Sequence, residues 1–249
     1  LDRPVLAQLL DWLGALATFD LGRSLVTAAP VIEEVALQLE NSVALAVAAV
    51  LLSLLIAVPV GVAAGLRPDG WVDRLSLAIS ATLRATPAFA LGVVLMLVLA
   101  VRFGIVPVAG HGSATTVLLP ALTLALGLAA VSSRVIRDAV AEVMASDHYR
   151  FAMAKGLERR DALSRHVARN AAIPVLSYLG VQLVFLIEGV VIVESLFAWP
   201  GIGHALVHAI FARDVPLVPA TGLVLRLLFV ALALAVVLAR RPPDPRGAR

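Results

Sequence analysis

Long apolar stretches alternate with short polar segments along most of the chain. Thr86-Pro87 predicts a break near the start of the second stretch, and Pro59 with Gly61 predicts a kink near the end of the first. Each stretch can cross a hydrocarbon core of roughly 30 Å at about 1.5 Å per residue. The five stretches lie at about 41–66, 85–103, 117–135, 173–195 and 220–239. The pattern predicts an all-α, polytopic transmembrane protein with five spans in this sequence.

The distribution of arginine and lysine predicts the orientation of these spans. Segments 67–84, 134–174 and 240–249 hold fifteen cations, whereas the opposite side holds four, namely Arg3, Arg23, Arg213 and, at the outer end of the second span, Arg102. Because cytoplasmic loops are enriched in cations, the first three segments are predicted to be cytoplasmic. The chain then divides into an external N-terminal segment 1–40, a transmembrane domain 41–240 with a cytoplasmic loop at about 134–174, and a cytoplasmic tail 241–249. An odd number of spans with an external N-terminus predicts a sixth helix upstream of Leu1 in the full-length chain.

The composition agrees with a membrane protein. Hydrophobic residues make up 61% and charged residues 15% of the 249 residues, against about 25% charged in soluble domains. The absence of cysteine excludes a disulfide framework and an iron–sulfur site. The net charge of +3 does not indicate nucleic-acid binding, because the cations lie in loops at membrane edges.

The polar segment 134–170 stands out between the apolar stretches, with eight cations and five acids. Ser146 and Asp147 are suited to cap a short helix over 147–155, and Gly156 is suited to end it. A capped helix in a cytosolic loop predicts a docking element for a soluble partner.

The same segment resembles the cytoplasmic loop of ABC importer permeases of the dipeptide, oligopeptide and nickel branch. The resemblance rests on Asp147-His-Tyr-Arg-Phe-Ala-Met-Ala-Lys-Gly156, on Arg165-His166 and on Arg169-Asn-Ala-Ala-Ile-Pro174. The general Glu-Ala-Ala pattern of importers is replaced here by Arg150-Phe151-Ala152, so only its second alanine is present. Three further segments resemble the family, namely Asp20-Leu-Gly-Arg-Ser24, Leu119–Gly127 and Glu194-Ser-Leu-Phe-Ala-Trp-Pro-Gly-Ile-Gly203.

The resemblance implies a permease subunit of an ATP-driven importer in the bacterial inner membrane. The assembly would contain two ATPase subunits, and helix 147–156 would couple this chain to one of them. The implied coupling residues are Asp147, Tyr149, Arg150, Phe151, Ala152, Lys155 and Gly156. ATP and Mg²⁺ would bind to those partners, so this chain is expected to hold no cofactor. A second, homologous but different permease and an extracytoplasmic binding protein complete the implied assembly.

Di- and oligopeptides are the implied cargo, with nickel, glutathione or another small solute as alternatives. An ATP-independent channel or membrane scaffold that reuses the fold is an alternative of another class. The sequence contains no Gly-x-x-x-x-Gly-Lys-Ser/Thr phosphate loop, no His-Glu-x-x-His and no Gly-x-Ser-x-Gly, which argues against an enzyme.

Further sites are assigned more loosely. Phe197, Trp199, Pro200 and Gly201 are expected to meet the binding protein. Ser133, Gln182 and Glu188 are expected to line the translocation path, although contacts between helices are an alternative for each of them. His204 and His208 share a face of an external helix predicted at 203–212, but with no third ligand in view no metal site is assigned.

Overall fold

A computed structural model describes residues 4, 13–16, 18, 20–110, 112, 115–155 and 168–239. These residues form helices and connecting turns, and within them the extended structure is one isolated bridge between Arg23 and Pro30. The helices are α1 (Val31–Gly65), α2 (Trp71–Ala85), α3 (Ala88–Leu95, continued as a π-helix over Met96–Arg102), α4 (Leu118–Ala145), α5 (Asp147–Ala154), α6 (Ala168–Leu196), α7 (Ile202–Ala212) and α8 (Leu217–Ala239). The predicted all-α class is confirmed.

Several helices have the length and apolar character of membrane spans. Among the described residues α1, α4 and α8 qualify on their own, and the bent pair α2–α3 qualifies as one broken span. Helix α6, with 29 residues, is about 43 Å long at about 1.5 Å per residue and so also reaches across a bilayer.

The structure changes three of the predicted boundaries. Helix α1 begins at Val31 rather than at residue 41, and α4 continues to Ala145 rather than ending at residue 135. Segment 67–84, predicted as a loop, instead contains α2, which meets α3 at an angle of 106°. This bend lies at the predicted break, because Pro87 lacks the N–H that a continuous helix needs.

Helix α2 buries one acid and two serines and exposes most of its apolar residues. Asp73, Ser76 and Ser80 are buried at helical spacing, whereas Trp71 and Leu75 are more than half exposed. An apolar outer face suits contact with lipid or with another membrane chain rather than with water. This reversed pattern explains why segment 67–84 was mistaken for a cytoplasmic loop.

Helices α1 and α4 form the centre of the bundle. Gly61 and Gly65 of α1 face the backbone of α4, and an added Cβ would lie 2.6 Å from the carbonyl oxygen of Ser133 and 2.7 Å from that of Arg137, respectively. Glycines at this spacing let two membrane helices approach closely. The close pair fixes α4, whose cytoplasmic end leads into α5.

Candidate coupling helix and the external Glu194 cluster

The short cytoplasmic helix α5 begins where the sequence predicts. Ser146 adopts an extended conformation that ends α4, and its hydroxyl accepts a hydrogen bond of 3.3 Å from the backbone N–H of Tyr149. This is the N-cap contact that Ser favours, and Asp147 in the first turn suits the positive end of the helix. Lys155 ends the helix, and Gly156 lies outside the described residues. The predicted helix is thus present over Asp147–Ala154.

The two aromatic residues of α5 face opposite directions. Tyr149 is 8% exposed and packs in an apolar cluster with Ile136 and Val140 of α4. Phe151 is 62% exposed, because two residues along a helix turn the side chain by about 200°. Tyr149 therefore holds α5 against its own chain, and Phe151 is offered to the cytoplasm. From the sequence, both aromatics were expected to contact a partner. Which way each one faces depends on the rotation of α5 relative to α4, and this rotation is set by the turn at Ser146.

The outward face of α5 combines apolar and basic groups. The Nζ atom of Lys155 lies 4.5 Å from the centroid of the Phe151 ring, within cation–π range. Arg150 and Asp147 are both exposed, and their 4.0 Å contact is at the outer limit of an ion pair. Ala152 lies in the same helix. This surface could bind a partner through an aromatic side chain bordered by positive charge.

An acid on the broken helix joins α2 to the cytoplasmic half of α4. Asp73 accepts a hydrogen bond of 2.8 Å from Nη1 of Arg134 and one of 2.6 Å from Nη2 of Arg137. The Nε of Arg137 adds contacts of 3.1 Å to both oxygens. Two arginines on one buried carboxylate form a strong, charge-assisted junction. Sequence reasoning missed it, although the spacing of Asp73, Ser76 and Ser80 indicates a helix with a polar face.

Polar side chains inside the bundle connect α4 to its neighbours. The hydroxyl of Ser132 donates to Oε1 of Gln182 on α6 at 2.7 Å, and Nε2 of Gln182 donates to the carbonyl of Leu128 at 2.8 Å. The hydroxyls of Ser133 and Ser80 lie 3.4 Å apart. Ser133 and Gln182 are therefore buried between helices in this conformation, and their place on a translocation path stays a prediction. Glu188 lies within α6, and its side chain is outside what the structure describes.

On the external side, the carboxylate of Glu194 joins three helices. It lies at the end of α6, is 0% exposed, and accepts a hydrogen bond of 2.5 Å from the hydroxyl of Ser42 on α1. It also accepts bonds from the backbone N–H groups of Gly203 and His204, at 2.8 and 3.2 Å, in the first turn of α7. Glu194 thus caps α7 and ties it to α1 and α6.

Two glycines make room for this Glu194 cluster. An added Cβ at Gly201 would lie 2.0 Å from Oε1 of Glu194, and one at Gly203 would lie 2.5 Å from the Cα of Val191. The indole N–H of Trp199 donates to the carbonyl of Asn41 at 3.0 Å. The external segment singled out in the sequence is therefore a packed junction.

Most of the residues predicted to meet a binding protein lie inside this junction. Phe197 is 1% and Trp199 5% exposed, Gly201 is buried, and Pro200 is partly exposed. Ala198, between the two aromatics, is exposed and has a left-handed φ of 49°. Docking at this segment stays a prediction, and the groups available for it in this conformation are those around Ala198 and Pro200.

A second external junction holds the turn at Asp20–Ser24. The hydroxyl of Ser24 and the backbone N–H of Leu25 donate to the carboxylate of Asp214, which is 1% exposed in the turn between α7 and α8. Burial alone would raise the pKa of Asp214, but hydrogen bonds from Ser24 and from the backbone of Leu25, Leu217 and Val26 hold the pKa below its ordinary value. The turn is fixed to the start of α8 by a charged group.

Comparison with known proteins gives a consistent picture. Residues 57–246 match the family model described as binding-protein-dependent transport system inner membrane component. The glutathione transport system permease protein GsiC of Salmonella typhimurium LT2 is 35% identical over 236 residues, which are 95% of this chain and 77% of that protein. GsiC of Escherichia coli K12 is 34% identical over the same shares of the two chains.

Two solved structures have a similar fold. The inward-facing MetNI methionine ABC transporter matches with a TM-score of 0.68 at 16% identity, over 86% of this chain and 97% of that one. An amino acid ABC transporter crystallised with histidines matches with a TM-score of 0.63 at 15% identity, over 84% of this chain and 94% of that one.

Proposed function

The chain belongs to the family of binding-protein-dependent transport system inner membrane components, the permease subunits of ABC importers, and we propose that its cargo is small peptides. Membership places it in the bacterial inner membrane as a multi-pass subunit. The relatives of 34–35% identity are named for glutathione transport, and glutathione is itself a tripeptide. The proposed cargo class is therefore di- and oligopeptides, with compounds of glutathione size included.

Uptake competition tests the cargo class. The chain is reconstituted with its second permease, its ATPases and its binding protein, and uptake of labelled glutathione is measured against excess unlabelled tripeptide, free amino acids or Ni²⁺. The proposal predicts competition by small peptides. Competition by Ni²⁺ alone would reassign the cargo to the metal branch.

We further propose that α5 is the element through which one of the two ATPase subunits acts on this permease chain. The observation that supports this most is the division of its side chains, with Tyr149 packed on α4 and Phe151 exposed beside Lys155. A helix that only covered its own chain would be expected to place a polar residue, not an aromatic one, at the exposed position 151. ATP and Mg²⁺ are bound by the ATPases, and this chain supplies the contact surface.

The mechanism follows from how α5 is joined to the spans. When ATP draws the ATPases together, α5 moves with them, and Tyr149 transmits the displacement to the cytoplasmic end of α4. Because Asp73 binds Arg134 and Arg137, α2 moves with α4. Two such permease chains rocking against each other would open the path toward a loaded binding protein, and ATP hydrolysis would reset it.

Cysteine crosslinking tests the contact, and this sequence contains no cysteine that would react in place of an introduced one. Phe151→Cys and Met153→Cys on α5 are expected to crosslink to single cysteines in the ATPase cleft. Glu142→Cys, exposed on α4 near the same end of the bundle, is the matched control and is expected to crosslink far less. Equal yields from Glu142 and Phe151 would contradict docking through α5.

A further inference from the structure

A cavity of about 210 Å³ opens on the external side of the protein. It lies between the Ser24 turn, the beginning of α1 and one side of α7, so three separate parts of the chain build it. Its polar lining includes Glu34 and Gln38 from α1 and His204 and His208 from α7. The Glu194 cluster and the Asp214 junction border it and hold these parts in place.

The polar part of the lining includes the carboxylates of Glu34 and Asp214, and among the residues that the structure describes no lysine or arginine lines the cavity. The carboxylate of Glu34 accepts a hydrogen bond from the hydroxyl of Thr27, which leaves further lone pairs available. Oε1 of Gln38 is buried, and within the described part of the chain it has no hydrogen-bond partner. Leaving such an acceptor unpaired is unfavourable, because burial has removed its hydrogen bonds to water.

The imidazole of His204 adds no positive charge to the lining. Burial, and then the nearby His208, lower the pKa of His204 below its ordinary value, so the ring stays neutral at neutral pH. The two rings lie 6.4 Å apart between centroids. A group that only donates and is positively charged, an ammonium or a guanidinium, complements this lining.

The size of the cavity distinguishes a side chain from a whole solute. Pockets that enclose a drug-sized ligand measure about 300–1,000 Å³, and this cavity is smaller. It has room for the end of one long side chain but not for a peptide. The occupant that fits is therefore part of a larger molecule that remains outside.

Exposed apolar side chains lie in the cavity lining or next to lining residues in the sequence. Val26 lines the cavity, Leu25 is adjacent to it, and Phe211 and Val215 flank the Asp214 turn. All four are more than half exposed, and Phe211 is 84% exposed. An apolar border around a polar centre is typical of protein interfaces, where the border keeps water from the central contact.

We propose that this cavity receives a lysine or arginine side chain of the extracytoplasmic binding protein when that protein docks. Glu34 supplies the charge, Gln38 supplies the unpaired acceptor, and Leu25, Val26, Phe211 and Val215 close the contact against water. The inference rests on the proposed function, because an importer of this class has a binding protein to receive.

The test measures the affinity of the binding protein for the complete transporter in lipid nanodiscs. Glu34→Gln keeps an acceptor for Thr27 but removes the charge, and it is expected to raise Kd roughly tenfold or more, as for loss of a charged hydrogen bond. Gln38→Leu is expected to raise Kd several-fold. Glu33→Gln is the matched control, since Glu33 is exposed in the same turn and does not line the cavity; its effect is expected to stay below about twofold.

A double-mutant cycle identifies the inserted side chain. Each lysine and arginine on the docking face of the binding protein is replaced by glutamine, and one replacement is expected to have no further effect in the Glu34→Gln transporter. Equal Kd values for Glu33→Gln and Glu34→Gln, with additive effects in every double mutant, would overturn the proposal. The cavity would then be assigned to a small cation, or the apolar border to contact with lipid. Uptake by the wild-type transporter is measured in parallel, so failure of this inference is distinguishable from failure of the importer function.

Discussion

In the external junction, position 201 requires glycine because of steric space and not because of its backbone conformation. The backbone there has an ordinary φ of −96°, yet an added Cβ would lie 2.0 Å from the Glu194 carboxylate. Because that carboxylate is held by Ser42 and by the start of α7, it has little room to move.

Gly201→Ala is therefore expected to lower stability by about 3 kcal/mol, which is in the range for overpacking. Gly127→Ala is the control, because an added Cβ there has no neighbour within 4 Å and should favour helix α4 by about 0.5–1 kcal/mol. Thermal unfolding in detergent checks both, and two equal shifts of the same sign would contradict the steric account.

Asp214 makes the second external junction sensitive to pH. Its pKa in the folded chain lies below the ordinary value of 3.8, so the folded state favours the carboxylate more than the unfolded state does. The stabilisation is complete above that ordinary pKa and is lost as the pH falls through the lower folded value. Asp214→Asn is expected to cost about 1–3 kcal/mol at neutral pH and progressively less in acid. A difference in apparent Tm between wild type and variant that does not change between pH 7 and pH 3 would contradict this.

At the scale of helices, the α2–α4 junction depends on one acid. Asp73→Asn leaves two arginines without their carboxylate and is expected to lower the free energy of unfolding by about 3 kcal/mol. Breaking a largely buried ion pair leaves an uncompensated charge where little water can solvate it. Asp138→Asn removes an exposed acid that contacts the same Arg137, and it is expected to change stability by less than about 0.5 kcal/mol. Equal losses of apparent Tm in the two variants would show that the junction does not depend on Asp73.

The sequence predicts the helices well where one physical signal dominates. Apolar length identified the spans, Pro87 identified the break, and Ser146 identified the start of α5, because each is a local property of the chain. Helix α2 was missed, since it buries Asp73, Ser76 and Ser80 and exposes apolar residues, so that its charged residues resembled those of a loop.

The orientation of side chains was harder to predict than the position of helices. Whether Tyr149 faces α4 or the cytoplasm depends on how two helices are phased across a single turn residue. Likewise, Trp199 and Phe197 looked like surface aromatics, and only the long-range contacts to Asn41 and to the core show that they are buried. Contacts between residues far apart in sequence produce no recognisable pattern in the residues next to them.

For the whole molecule, the two ends of the bundle have different designs. The external end is held by buried carboxylates, Glu194 and Asp214, which bond backbone groups of α7, α8 and the Ser24 turn. At the opposite end, among the residues that the structure describes, the short helix α5 is held by Tyr149 and capped by Ser146. The fixed surface around Glu194 and Asp214 suits repeated docking, whereas the described contacts of α5 are mainly to α4, which suits transmission of movement.

The central claim is that ATP hydrolysis by partner subunits reaches this permease through α5. The most direct measurement is ATP-driven glutathione uptake and ATP hydrolysis in the same proteoliposomes, for wild type, Phe151→Ala and Glu142→Ala. Phe151→Ala is expected to reduce uptake at least about tenfold while the protein remains inserted, as expected for removal of a central interface aromatic, and Glu142→Ala is expected to match wild type. Wild-type uptake per ATP hydrolysed in Phe151→Ala and in Ala152→Asp, at normal membrane levels, would contradict the account.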